Sequence, residues 1–204
     1  MRRACFLFVG LGLLLSMPTA SAQQSRTVAI LMPGAGGGTP SDFLVRNRSR
    51  IGGASVETRL TTSPSEAAEI ARAERQKGRK VVIVGMSLGA QHAAQALALG
   101  APANGVVFVS GMLNEAASAL GSPAKLPATL IVHHRRDVCQ YTLPSVATNF
   151  QQWSGGKARV VWISTTGTPP PGPKGGACRP FGAHGFFTQD GPAVSAIVGF
   201  IRSR

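Results

Sequence analysis

From residue 27 onward the chain trades short β-branched apolar runs for longer Ala-rich stretches in which the apolar positions recur at helical spacing. The runs at 27–32, 55–60, 81–85, 105–110, 128–133 and 159–164 are mostly continuous in apolar character. That pattern belongs to strands buried on both faces of a parallel sheet. Between and after them, helices are predicted at 41–51, 64–76, 88–99, 113–120, 143–152 and 192–201. Ser63, Pro64 and Glu66 make a helix start: a capping hydroxyl, a proline at the first helical position and an acid three residues after the cap. Strict alternation of strand and helix predicts an α/β fold, a three-layer αβα sandwich around a mainly parallel, doubly wound sheet of about six strands. No internal repeat or linker divides it. The one long irregular stretch, 165–181, carries Pro169-Pro170-Pro171 and several glycines, and connections longer than about 12–15 residues in a compact domain are usually functional or mobile.

The first 22 residues do not fit this alternation. Met1-Arg2-Arg3, an apolar run over 4–15 and the small-residue site Ala20-Ser21-Ala22 form the three parts of a secretory signal peptide. The run is too short for a spanning helix, which needs about 20 apolar residues. The expected mature domain is therefore 23–204, in the periplasm or secreted. Of the 204 residues 44% are hydrophobic, enough for one real core, which excludes a disordered chain and a disulfide-built mini-scaffold. With the signal removed, Cys139 and Cys178 are the only cysteines, and two thiols in an exported chain are expected to be bridged.

The chemistry is concentrated after the third strand. Gly85-Met86-Ser87-Leu88-Gly89 is a G-x-S-x-G sequence between the run Lys80-Val81-Val82-Ile83-Val84 and the helix that begins at Leu88. In that setting the glycines allow a strand-to-helix turn too tight for side chains, and the serine is held out above the sheet at a helix N-terminus. A serine needs a base, and the base needs an acid to orient it. Only Glu115, Asp137 and Asp190 follow Ser87 as acids. Asp137 lies just beyond the fifth strand, Glu115 sits in a short helix after the fourth, and Asp190 follows the last histidine. His184 falls after the last strand and before the final helix. His133 and His134 precede Asp137, and His92 turns away from Ser87 along its helix.

These residues resemble those of the α/β-hydrolase superfamily, in a minimal form without the two N-terminal antiparallel strands of larger members. The resemblance runs from the strand ending at Pro33 to the last helix. It implies Ser87 as nucleophile, Asp137 as acid and His184 as general base. It also implies an oxyanion hole from the backbone N–H of Leu88 together with one from the loop Pro33-Gly34-Ala35-Gly36-Gly37-Gly38, with Ala35 the first choice of donor and Gly36 the next. Pro33 stands where the family's loop has a histidine. A bridge between Cys139 and Cys178 would tie the acid loop to the loop that delivers His184.

Other readings of the same residues are weaker. Adjacent strand residues face opposite ways, so His133 and His134 cannot easily share a metal ion. No metal and no cofactor is expected. The glycines at 34–38 lack the Lys-Ser/Thr ending of a phosphate loop. The basic groups Arg46, Arg48, Arg50 and Arg72, Arg75, Lys77, Arg79, Lys80 read as solvated helix faces, and with one tyrosine in the chain they lack the stacking surface of a nucleic-acid binder. The 13-charge excess of basic over acidic residues suggests attraction to anionic envelope surfaces. Gly111 to Leu126 is too short for a helical lid. The expected activity is hydrolysis of a small ester or similar acyl compound by a monomer. A peptidase, thioesterase or acyltransferase on the same residues, or an idle binding module, are the alternatives.

Overall fold

The computed structural model describes residues 27–53, 55–164 and 176–204, besides Met1. The signal sequence assigned to 1–22 and most of the irregular stretch after the sixth strand lie outside the described residues. Six strands, β1 (Thr27–Met32), β2 (Val56–Leu60), β3 (Lys80–Met86), β4 (Gly105–Val109), β5 (Ala128–His134) and β6 (Ala158–Ile163), form one sheet in the order β2-β1-β3-β4-β5-β6. Every neighbouring pair is parallel. The helices are α1 (Phe43–Arg46), α2 (Arg48–Ile51), α3 (Pro64–Gln76), α4 (Leu88–Ala98), α5 (Leu113–Leu120), α6 (Pro144–Trp153) and α7 (Asp190–Arg202).

The apolar runs of the strands divide between two cores because successive side chains point to opposite faces. Val28, Ile30, Met32, Val81, Ile83, Val106 and Phe108 pack with residues of α3, α4, α5 and α6. Ala29, Leu31, Val82, Val84, Val107 and Val109 pack with α1, α2 and α7. Three layers result. Strand order reverses between β1 and β3, so the loops leaving those two strands splay apart at the carboxyl edge. In open α/β sheets that crevice is where ligands bind.

Two helices differ from the sequence pattern. The helix expected over 41–51 is interrupted at Asn47 (φ −103°, ψ 9°), whose Nδ2 donates to the Phe43 carbonyl at 3.0 Å beside the ordinary helical bond from its own N–H. Asparagine competes in this way with helix continuation. The last helix starts two residues early, at Asp190, and accommodates Pro192 because the first-turn N–H groups have no partner within the helix. Between β4 and β5 the chain has only α5 and a three-residue 3-10 turn, Pro123–Lys125, so nothing there covers the carboxyl edge.

Candidate active site

Ser87 sits at the end of β3 with φ 52° and ψ −115°, a left-handed conformation that costs an L-residue of order 1–3 kcal/mol. Surrounding contacts hold it there. Its N–H donates to the Val109 carbonyl at 3.0 Å, and its own carbonyl accepts from Ala90 at 3.0 Å and Met112 at 3.1 Å. The two flanking glycines are steric requirements, since a Cβ on Gly85 would strike the Gly89 carbonyl and one on Gly89 would strike the Met32 carbonyl. A third close approach joins β1 to the turn: a Cβ on Gly34 would lie 3.2 Å from that of Ser87. The loop after β1 thus passes directly beside the serine.

Asp137 and His184, 47 residues apart in sequence, meet at the same edge, with His184 Nδ1 3.0 Å from Asp137 Oδ2. Both are buried. The carboxylate is fully engaged: Oδ1 accepts from the Cys139 N–H at 3.0 Å, and Oδ2 also accepts from the Thr142 hydroxyl at 2.9 Å. Thr142 Oγ1 is 3.0 Å from His184 Nδ1 as well. An N–H at Nδ1 therefore faces two oxygens, which leaves Nε2 as the proton-accepting nitrogen. Among the described residues no hydrogen bond joins the Ser87 hydroxyl to His184. In serine hydrolases such a contact often tightens only with substrate bound.

The loop that carries His184 is anchored on both sides. Before it, Cys178 is bonded to Cys139, with their Cα atoms 4.6 Å apart, so the acid loop and the histidine loop are stapled together. After it, Phe186 adopts φ 55° and is completely buried, its ring 5.2 Å from that of Phe43 and 6.2 Å from the His134 imidazole. Arg46 completes the attachment. Its guanidinium donates to both Asp190 oxygens at 3.0 and 2.7 Å, to the Gly185 carbonyl at 2.5 Å and to the Ser41 carbonyl at 2.6 Å. The expectation of a solvated face for this arginine is thereby corrected: the broken helix turns it inward, toward the residue next to His184.

Asp42 does the corresponding work for the loop after β1. Its Oδ1 caps α1 by accepting from Leu44 at 2.8 Å and Val45 at 3.4 Å, while Oδ2 accepts from the Gly34 N–H at 3.0 Å. That leaves Gly34 committed. Ala35 and Gly36 follow on the exposed side, with Gly36 at φ 92°. Among the described residues the N–H groups of Leu88, at the first turn of α4, and of Ala35 have no acceptor. Sequence reasoning did not find Asp42, Arg46 or Thr142. Asp42 and Thr142 could have been suspected from their positions beside the β1 and β5 loops.

The remaining histidines are structural in their contacts. His133 Nε2 donates to the Thr142 carbonyl at 2.8 Å, lies 3.6 Å from Asp137 Oδ2 and packs edge-on against Trp162. His134, on the opposite face, donates from Nε2 to Gln189 at 2.7 Å and accepts the Arg136 N–H at Nδ1 at 2.9 Å. Burial pushes both below the ordinary histidine value, against the opposing pull of Asp137. Burial also lowers His92, whose Nδ1 has no partner. Among the described residues no cluster of three or more His, Cys, Asp or Glu could hold a metal ion.

Known proteins agree with this architecture. No curated protein sequence matches the chain. A predicted CIB-like hydrolase from Thermoplasma acidophilum superposes with a TM-score of 0.60 at 16% identity, covering 90% of this chain and 89% of its own. MGS-MChE2, an alpha/beta hydrolase enzyme from a Mar Chica lagoon sediment metagenome, gives 0.57 at 15% identity over 88% of this chain and 92% of its own. The esterase EaEST from Exiguobacterium antarcticum gives 0.55 at 11% identity over 88% and 93%. At these identities the likeness is one of fold. The model of the alpha/beta hydrolase family matches residues 4–195, nearly the whole chain, and the protein belongs to that family.

Proposed function

We propose that the protein is an exported serine esterase that cleaves small ester or similar acyl compounds through an acyl-enzyme on Ser87. The observation that carries this reading is the buried Asp137–His184 pair at 3.0 Å, at the same carboxyl edge of the sheet as a serine held at φ 52° on a strand-to-helix turn. His184 Nε2 takes the Ser87 proton as Oγ attacks the carbonyl carbon. The oxyanion is met by the N–H groups of Leu88 and Ala35 or Gly36. Collapse of the intermediate breaks the ester bond, and the alcohol leaves with the proton from His184. Water then attacks the acyl-enzyme with His184 as base, and the acid and the free serine are released. The hydrolase fold and the esterase among its structural neighbours support this chemistry. Export rests on the sequence of residues 1–22 alone.

The test is hydrolysis of short p-nitrophenyl esters together with labelling by a fluorophosphonate. Wild-type protein should turn over and label once per chain. Ser87→Ala should abolish both, and His184→Ala should reduce turnover by at least about a thousandfold. Folded wild-type protein that neither labels nor hydrolyses esters, thioesters or peptides would exclude the serine mechanism.

A further inference from the structure

Large apolar side chains exposed to water are unevenly placed on this molecule. Besides Met1 and Leu99, those among the described residues are Val138 (68% exposed), Tyr141 (52%), Leu143 (41%) and Phe181 (37%). The first three lie on the loop that follows Asp137, and the fourth lies three residues before His184. The Cys139–Cys178 bond, with Cα atoms 4.6 Å apart, brings these two loops side by side. Phe181 also stacks edge-on with the half-buried Phe187 at 5.4 Å. The four residues thus lie on two disulfide-joined loops at the carboxyl edge of the sheet, close in sequence to the acid and the base. Scattered single apolar residues are ordinary on a protein surface, whereas a contiguous group marks a binding face.

The exposed charges on these two loops have one sign. Arg135, Arg136 and Arg179 are exposed on the same two loops, Arg135 lying over the Trp162 ring at 5.1 Å. From residue 116 to 189 the only acid is Asp137, which is buried and bonded to His184, Thr142 and Cys139, against the basic residues Lys125, Arg135, Arg136, Lys157, Arg159, Lys174 and Arg179. Apolar groups set among arginines, with a tyrosine between them, are the side chains that settle at the boundary of a lipid layer. The rings and stems enter the acyl region, and the charged tips stay with the headgroups. Among the described residues no helix is long and apolar enough to cross a membrane.

We propose that the rim formed by 138–143 and 178–181 docks the protein on an anionic lipid surface, with the carboxyl edge of the sheet facing the lipid. This goes beyond hydrolysis and does not depend on it. Each arginine near an anionic leaflet strengthens binding about fivefold, and the attraction is screened within a Debye length. The test is co-sedimentation of wild type and Ser87→Ala with vesicles of phosphatidylcholine alone, and with about one third phosphatidylglycerol. Both proteins should bind the anionic vesicles alike and bind the neutral ones weakly. Binding should fall at least tenfold between about 0.1 M and about 0.5 M salt. The exposed-site variants Tyr141→Ser with Phe181→Ser should lose about tenfold, and Arg136→Gln with Arg179→Gln about twenty-fivefold, with unchanged far-UV dichroism and Tm. A control pair at the opposite end, Arg72→Gln with Arg75→Gln, should lose less than any rim pair. Four results would overturn the proposal: no preference for anionic vesicles, a larger loss in the control pair than in the rim pairs, rim variants that only raise KM for soluble esters, or rim variants that only dissolve a dimer. Loss of ester turnover in Ser87→Ala with vesicle binding intact separates this question from the catalytic one.

Discussion

Replacing Arg46 by Gln tests whether the base-bearing loop is held in place from outside the catalytic residues. The guanidinium makes four hydrogen bonds, two to Asp190 and one each to the Gly185 and Ser41 carbonyls. The Arg46 and Asp190 side chains are 20% and 23% exposed, so the ion pair is discounted toward the exposed range, at about 1–2 kcal/mol. Each carbonyl that loses its charged donor adds about 1 kcal/mol, for a total near 3 kcal/mol. In a domain of this size that lowers Tm by roughly 6–12 °C. The effect on chemistry should exceed what stability alone explains. Gly185 is adjacent to His184, and misplacing a catalytic group by about 1 Å costs on the order of a hundredfold.

The assay is therefore paired: thermal unfolding by near-UV dichroism, and steady-state ester hydrolysis at a temperature well below both Tm values. Arg46→Gln should lower kcat about 10- to 100-fold with little change in KM, and Arg46→Lys should fall between, because an ammonium cannot bridge both carboxylate oxygens and the carbonyl. Asp190→Asn in combination should show a coupling of about 1–2 kcal/mol in stability. A Tm loss of the stated size with kcat unchanged would show that the bonds stabilise the fold without positioning the base. Additive stabilities would mean the pair is not coupled at all.

Other consequences are open to measurement. Thr142→Val removes a donor to Asp137 and should lower kcat/KM about tenfold, while Thr142→Ser should stay within about threefold, checked across a pH profile. Opening the Cys139–Cys178 loop, 39 residues in separation, by Cys178→Ser should cost about 3–4 kcal/mol and should reduce turnover more than far-UV dichroism at moderate temperature. His133 and His134 are held below the ordinary 6.5, so the unfolded chain binds protons more readily than the folded one. Their contribution is present above about pH 6.5 and is lost as pH falls below it, so Tm should drop on acidification from about pH 7 to about pH 5 and drop less in His134→Gln. A Tm that rises on acidification would contradict the buried neutral state.

Legibility followed contact range. The six strands could be read because each is a nearly continuous apolar run whose burial is dictated by its own residues, and strict alternation then left few topologies. The turn at Ser87 was equally local: glycine, serine and glycine mark a collision that only the backbone can avoid. Asp137 and His184 stand in the chain order that the resemblance implies, and the structure places His184 Nδ1 3.0 Å from Asp137 Oδ2 although they are 47 residues apart. The contacts that hold them were out of reach. Arg46 and Asp190 are separated by 144 residues, and nothing in the local sequence distinguishes that arginine from Arg48 or Arg50 on a solvated face. The break at Asn47, which turns Arg46 inward, depends on a side-chain bond to Phe43 that competes with helix propensity only once the fold has formed. Thr142 could be suspected only from its place on the loop after β5, since its role comes from lying between two side chains delivered by different loops.

The attachments of the histidine loop raise a question of redundancy that a combined variant answers. The bridge at Cys178 lies six residues before His184, and the Arg46 bonds to Gly185 and Asp190 lie one and six residues after it. Among the described residues these two attachments restrain the base from either side, together with the buried Phe186 ring. Suppose either one keeps the imidazole within hydrogen-bond reach. Then each single variant retains part of its geometry, and losing both leaves the loop from 178 to 190 held by the Phe186 ring, the His184–Asp137 contact and the Gln189–His134 bond. Catalysis requires a donor–acceptor distance of about 2.6–3.2 Å, so each single loss should be partial and the loss in the double variant steeper than the two combined. Arg46→Gln with Cys178→Ser should then lower kcat by at least about tenfold more than the product of the single effects, measured below all Tm values. A double variant that equals that product would mean each attachment constrains a different coordinate of His184, and the loop is held by independent contacts.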